Sequence, residues 1–254
     1  MTKHTNIKEI ASLQHPLVQH LVKLKNSKAY RQEEKSLLLE GRNCIIDITK
    51  KKKAKRLIVE SLADVPQECQ ADEILLVTRA IIEKISAVAN PDNILAELPS
   101  PEMQKLSTQK YIIALDGLQD PGNLGTLLRT ALALGWEGVF LIEPCCDPFN
   151  DKALRAAKGA TFDIPMQKGS WHDLADIIKE NGYTVCSADL EGEAPCAFLA
   201  EQKLVLILGN ESHGINLPAD FSSRKVTIPM KGPMESLNVA IAGAILMYAL
   251  KEKL

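Results

Sequence analysis

Three polar clusters, each set just behind an apolar run, carry the side chains best placed for chemistry. Asn123, Gly125 and Arg129 lie in DPGNLGTLLRTALALG, behind YIIALDGL. Gly209, Glu211 and Gly214 lie in GNESHGI, behind KLVLIL. Ser236 and Asn238 stand behind KVTIPM and the loop MKGPME. A glycine at a strand end lets a ligand approach the backbone, Ile228 and Leu237 offer an apolar slot, and a polar first turn of a helix holds a small polar ligand. Arg129 carries a permanent charge, so it suits holding an anion and is a poor base on its face. Ordinary explanations stand beside these: Asn123 as a helix N-cap, Arg129 as a surface arginine, Gly209 with its aliphatic neighbours as core. Glu211, directly behind a buried strand, is the hardest to explain that way.

Metal and thiol chemistry find little support. The six cysteines, Cys44, Cys69, Cys145, Cys146, Cys186 and Cys196, form no CxxC pair, and the five histidines show no HExxH pattern. A disulfide framework is not expected in a chain of this size. His213 sits in the Glu211 loop and reads as a solvent-facing residue. The apolar fraction of 46% supports a real core, and no apolar run reaches transmembrane length. The opening MTKHTNIKEI lacks the pattern of a signal peptide. The expectation is a cytoplasmic protein without metal or membrane partner.

The elements that must position these clusters alternate along the chain. Strands are predicted at YIIALDGL, GVFLIEP, YTVCSADL, KLVLILG and KVTI (Lys225 to Ile228). Helices are predicted at NLGTLLRTALALG, DKALRAAKG, WHDLADIIKENG and APCAFLA. A final helix runs from about Ser236, its N-cap, to the C-terminus and is apolar enough to be buried on more than one side. Such alternation implies α/β architecture with a parallel sheet covered on both faces. Ligands then bind at the carboxyl ends of the strands, where Asn123, Gly209, Glu211, Ile228 and Ser236 would converge.

The first part of the chain reads as a separate small α/β unit. It holds one basic amphipathic helix after Pro16, a strand at SLLLEG, a helix at GRNCIIDITKKKKA, strands at RLIVE and EILLVT, a helix at RAIIEKISAV and a strand at NILAELP. The polar, proline-bearing PSPEMQKLST (99–108) reads as a linker, giving domains 1–105 and 106–254. Charge divides likewise. Residues 1–60 hold 14 Lys+Arg against 6 Asp+Glu, a balance of +8, and the remainder holds 16 against 26, a balance of −10. A basic segment on an acidic body suggests a polyanionic partner.

The three clusters, in this order and spacing, resemble the three motifs of the SpoU (TrmH-type) branch of the SPOUT RNA methyltransferases. The motif match covers about residues 111–254. The resemblance implies a parallel-sheet domain with a deep trefoil knot, a homodimer, and methyl transfer from S-adenosylmethionine to a ribose 2′-hydroxyl of RNA. It implies that Gly209, Ile228 and Leu237 hold the cofactor. Arg129 matches the arginine treated as catalytic, and Asn123, Glu211, Ser236 and Asn238 match its polar neighbours. The N-terminal unit is similar to the RNA-binding domain preceding many such catalytic domains, which makes Lys23, Lys25, Lys28, Arg31 and Arg42 candidate phosphate contacts. By family analogy ribosomal RNA is favoured over transfer RNA. Two other readings stay open: a non-catalytic RNA-binding protein retaining the fold, and a Rossmann-type dinucleotide enzyme. The latter lacks GxGxxG spacing.

Overall fold

In the computed structural model, which describes residues 6–198, 202–210, 213–219 and 221–251, the apolar runs form two sheets in two compact units. Unit 1 comprises Met1–Pro101 and Phe149–Phe162, and unit 2 comprises Glu102–Pro148 and Asp163–Leu254.

Unit 1 contains β1 (Asn6–Ile10), β2 (Ser36–Glu40), β3 (Ala54–Val59), β4 (Ala71–Val77) and β5 (Ile94–Pro99), in the order β1-β4-β3-β5-β2. Its first helices are α1 (Pro16–Asn26), α2 (Lys28–Glu34), α3 (Arg42–Thr49) and α4 (Arg79–Ile85). Successive strand residues face opposite ways, and both faces are apolar. Leu38, Ile58, Leu75 and Leu95 pack with Val18, Leu21, Leu24 and Ile81. Leu37, Leu39, Leu57, Val59 and Leu98 pack with Ile45 and Ile48 on the other face.

Two local expectations change here. The single helix after Pro16 is two helices, because the Ser27 hydroxyl accepts from the Tyr30 N–H (3.2 Å) and starts a new one. NIKEI, to which the sequence reading assigns no element, is the edge strand β1, parallel to β4.

Unit 2 is built on β6 (Tyr111–Asp116), β7 (Gly138–Ile142), β8 (Met166–Gly169), β9 (Thr184–Glu193), β10 (Leu204–Leu208) and β11 (Arg224–Val226). The helices that follow in the chain are α5 (Pro121–Ala133), α6 (Asp151–Ala157), α7 (Trp171–Asn181) and α8 (Val239–Ala249). Strand order is β11-β9-β10-β6-β7-β8, every pair parallel. From β6 the chain winds outward through β7 and β8, then returns to lay β10 on β6's other side. The crevice between the carboxyl ends of β6 and β10 is thus a topological switch point. One face packs Ile112, Ala114, Phe140, Val205 and Ile207 against Leu174 and Ile177 of α7. The opposite face packs α5 and α8. Helix α6, although it follows β7, belongs to unit 1: Leu154, with Phe162 just beyond the helix, completes the core beneath β2.

Several sequence expectations are corrected in this unit. The last strand ends at Val226, so Ile228 lies in the loop beyond it. Helix α8 starts at Val239, not near Ser236, and Asn238 is its cap. Strand β8 was not foreseen. Of APCAFLA, the described residues 194–198 hold the 3-10 turn Pro195–Phe198 in place of the expected helix, and the last two lie outside the described residues. The stretch read as a linker is pinned rather than free. Leu106 is buried, and the Gln104 and Leu106 N–H groups donate to Met166 O and Gln167 Oε1, both at 2.7 Å.

Helix α8 buries one side only within a single chain. Val239, Gly243, Leu246 and Met247 face inward, whereas Ile241, Ile245 and Tyr248 are 54%, 41% and 46% exposed. Among the described residues no helix is long and apolar enough to cross a membrane.

Candidate active site

Strand β10 delivers its last apolar residue, Leu208, into the core and then stops at Gly209. The turn beyond is closed by a pair of backbone hydrogen bonds, Asn210 N to Gly214 O (3.0 Å) and Gly214 N to Asn210 O (2.9 Å). Gly214 has φ +68°, a conformation that favours glycine. Two further bonds staple this turn to the end of β6. Asn210 Nδ2 donates to Gly117 O (2.9 Å), and the buried Asp116 carboxylate accepts from the Asn216 N–H (2.7 Å). Gly209 itself has no room for a side chain. A Cβ there would lie 2.3 Å from the Gly214 carbonyl and 2.6 Å from Ile215 N. The glycine is therefore required by the protein's own loop, before any ligand is considered.

Two helix N-termini meet beside this turn. Asp120 caps α5, its Oδ1 accepting from the N–H groups of Gly122 (2.5 Å) and Asn123 (3.0 Å). Asn123 is thus not the cap; it lies in the first turn, with its side chain turned to α8. Its Oδ1 accepts from Asn238 Nδ2 at 3.1 Å. The Asn238 Oδ1 meanwhile caps α8 through the Ala240 N–H (2.9 Å). One amide so ties α5 to α8, helped by Gly243, where a Cβ would meet Leu127 and Leu208 at 2.5 and 2.7 Å. At the other end of α8, Trp136 Nε1 donates to Met247 O (3.1 Å).

A cleft of about 640 Å3 opens between the Gly209 turn, the bulge of β9 and the segment leading into α8. That volume suits a nucleoside-sized ligand. Gly209, Ile228, Ser236, Leu237 and Asn238 all line it, so five residues chosen from the sequence converge. Leu208, Val226 and Leu246 supply an apolar floor, while Asp189 and Glu235 are the charged lining residues among those described. The Asp189 carboxylate accepts from the Glu191 N–H (3.0 Å) and pairs with Lys225 Nζ (2.9 Å). That backbone hydrogen bond first, and Lys225 in addition, hold it below the usual carboxylate range. An apolar floor, an open glycine backbone at Gly214 and carboxylates at the rim fit a ligand that is part apolar ring, part polar.

Asn123 reaches this cleft through Asn238. Arg129 stands apart: it is exposed on α5 and makes no hydrogen bond or ion pair among the described residues. Glu211 lies outside the described residues, and His213 is exposed as expected. The sequence reading missed Asp116, Asp120, Asn210 and Asp189. Asp120-Pro121 was legible, since a capping acid before a proline is a strong helix-start signal.

The five basic candidates of unit 1 divide. Lys23, Lys28 and Arg42 are exposed, although Lys23 also rests over the Tyr30 ring and Arg42 Nη1 donates to Asp64 O (3.0 Å). Lys25 bonds the carbonyls of Lys84 and Ser86, both at 2.9 Å. Arg31 is only 5% exposed, with Nη1 on the carbonyls of Leu24 (2.7 Å) and Lys25 (3.0 Å). Lys25 thus ties α1 to the end of α4, and Arg31 ties α2 to the last turn of α1.

Comparison with known proteins supplies context for this geometry. A family model described as the SpoU rRNA Methylase family matches residues 110–248, and one described as an MRM3-like substrate binding domain matches residues 15–96. The 23S rRNA (guanosine(2553)-2'-O)-methyltransferase RlmP of Bacillus subtilis is 31% identical over 249 residues, which span 96% of this chain and 100% of that protein. The crystal structure of an AdoMet-bound rRNA methyltransferase from Sinorhizobium meliloti superposes with a TM-score of 0.83 at 29% identity, covering 96% of this chain and 97% of that one. The SpoU methyltransferase AviRb of Streptomyces viridochromogenes shares the fold, with a TM-score of 0.82 at 19% identity over 93% of this chain and 97% of that one.

Proposed function

This chain belongs to the SpoU rRNA methylase family, and from that premise we propose that it methylates a ribose 2′-hydroxyl of RNA, ribosomal RNA first, with S-adenosylmethionine as donor. The observation that carries the reading is the convergence of Gly209, Ile228 and Leu237 on one cleft beside the Asn123–Asn238 pair. When bound there, S-adenosylmethionine supplies an electrophilic methyl on a sulfonium, so in-line attack by the ribose oxygen yields a methyl ether, a neutral thioether and a proton. The chain's own residues have two tasks: to hold the hydroxyl in line and to give its proton a destination. Leu208, Ile228, Leu237 and Leu246 take the adenine, and the backbone beside Gly209 meets its polar edge. Asn238 orders the opening of α8, and Ser236 stands beside it at the reacting end. Arg129 clamps the target phosphate, and Glu211 is a candidate for receiving the proton.

The same reading assigns the rest of the chain. Residues 1–105 bind RNA and 106–254 catalyse, with Phe149–Phe162 contributing to the first unit's core. Lys23, Lys28 and Arg42 supply phosphate contacts, which makes RNA affinity fall steeply with salt. The segment from β11 into α8 passes the Gly209 turn as part of a trefoil knot. The exposed stripe of Ile241, Ile245 and Tyr248, spaced four and three residues apart, is the homodimer face. The protein works in the cytoplasm. Two measurements test the reading: calorimetry with S-adenosylhomocysteine, and mapping of 2′-O-methyl sites in ribosomal RNA with and without the gene. Absence of binding together with an unchanged methylation map refutes it. Sedimentation showing only monomers at micromolar concentration refutes the dimer.

A further inference from the structure

The cleft contains a carboxylate that the proposed chemistry leaves unused. We infer that Asp189 recognises the vicinal 2′- and 3′-hydroxyls of the donor's own ribose, an inference that rests on reading the cleft as the cofactor site.

Position supports it first. Strands β9 and β10 are parallel neighbours whose last register pair is Ser187 with Ile207. Asp189 and Gly209 each lie two residues further on, Asp189 in the bulge of β9 between Ser187 and Glu193 and Gly209 just past the end of β10, and both line the cleft. An acidic group at the carboxyl end of a strand beside a glycine turn is how dinucleotide-binding sheets hold a ribose diol. Here the acid comes from the bulge of a strand, beside a comparable glycine turn, on a different topology.

Preorganisation supports it second. The Glu191 N–H occupies Oδ1 and Lys225 Nζ occupies Oδ2, which fixes the carboxylate plane. The Leu190 N–H adds a further backbone donor, and the carboxylate, 35% exposed, keeps lone-pair capacity for a hydroxyl donor. Lys225 also balances the charge, so Asp189 acts as a hydrogen-bond acceptor more than as a counter-ion. Glu235, the other lining carboxylate, lies in the segment 228–237, whose residues make no hydrogen bond among the described residues. It is not held in advance for a diol. The wall beside Asp189 is fixed as well: Thr227 Oγ1 donates to Leu190 O (2.9 Å) and Thr227 N to Glu193 O (3.0 Å).

The test uses the full chain and three probes: S-adenosylhomocysteine, 5′-methylthioadenosine, which lacks the amino-acid moiety, and the 2′,3′-dideoxy form of 5′-methylthioadenosine. A charge-assisted hydroxyl bond to a carboxylate corresponds to about ten- to a hundredfold in affinity. Asp189→Asn should therefore weaken both ribose-bearing probes by about that factor and leave the dideoxy probe within twofold of wild type. Retained dideoxy binding also shows that the cleft is folded. Equal losses for all three probes overturn the inference, because Asp189 then only supports the wall. Loss with S-adenosylhomocysteine but not with 5′-methylthioadenosine also overturns it, since the carboxylate would then be reading the ammonium. If wild type binds none of the probes, the cofactor reading fails and takes this inference with it. If wild type binds them and the variant behaves alike, only this inference fails.

Discussion

Replacing Gly209 by alanine is the sharpest test of how the cleft is built. The added Cβ would sit 2.3 Å from the Gly214 carbonyl atoms and 2.6 Å from Ile215 N, where ordinary contacts run from 3.4 to 4 Å. The obstructing atoms are backbone, so no rotamer change relieves them; the 210–215 turn must move by roughly 1 Å. That shift opposes the two Asn210–Gly214 hydrogen bonds and the Asn216 bond to Asp116. Overpacking costs about 1–3 kcal/mol and each lost hydrogen bond about 1 kcal/mol, so with one of the three bonds lost the expected total is about 3 kcal/mol. The loss divides between two readouts. What the fold absorbs appears as a fall in Tm, at about 2–4 °C per kcal/mol for a domain of this size. What the turn absorbs by moving appears as weaker S-adenosylhomocysteine binding, tenfold per 1.4 kcal/mol. Scanning fluorimetry and calorimetry on one preparation measure both. A combined loss below about 1 kcal/mol would falsify the claim that the loop backbone, and not the ligand, demands this glycine.

Three other outcomes are expected. Gly243→Ala also creates a clash, but with the side-chain tips of Leu127 and Leu208, so its cost should be smaller, about 1–2 kcal/mol in chemical denaturation; a loss as large as that of Gly209→Ala contradicts the distinction between yielding and unyielding neighbours. Arg129→Ala should fold and bind S-adenosylhomocysteine like wild type while losing most methyl transfer, and Arg129→Lys should be badly impaired because lysine lacks the bidentate fork; near-full rate in the lysine variant leaves only a charge requirement. Cys44, whose thiol burial pushes up to about 11, should resist iodoacetamide near pH 8, where roughly one molecule in a thousand is thiolate, and react only as pH approaches that value, well after the exposed Cys196. Mass spectrometry of the alkylated chain reads the order directly, and early labelling of Cys44 would contradict its burial.

Strands buried on both faces were the most legible elements. YIIALD, GVFLI and LVLIL are near-continuous apolar runs, and each forms a strand close to where periodicity puts it. The missed strands are edges: NIKEI buries only Ile10, and MQKG is four residues long with only Met166 buried. Nothing in such stretches alternates long enough to register. The opening of α8 was misplaced because serine and asparagine are both good caps. Asn238 serves because its amide satisfies the α8 backbone with one end and Asn123 with the other, a tertiary fact no local rule contains.

The site shows the same division. Residue type announced that Gly209 matters, but not which atoms exclude a side chain. Counting charge found the basic segment, yet it could not tell the outward Lys28 from the inward Arg31. Asp189 in SADLEG belongs to no motif the eye would stop at. It becomes visible only when β9 and β10 are laid side by side.

The return of Phe149–Phe162 into the first unit sets a schedule for biosynthesis. Chain emerging from the ribosome has all of Met1–Pro101 available 61 residues before Phe162 is made. At about 5–20 residues per second, that interval lasts roughly 3–12 s. Throughout it, the sheet face that later receives Leu154 and Phe162 is covered by α3 alone. A nascent polypeptide in this state is an obvious client for chaperones that shield apolar surface. Codon choice between residues 102 and 162 becomes a handle on yield, because slower decoding there prolongs that interval without altering a single amino acid.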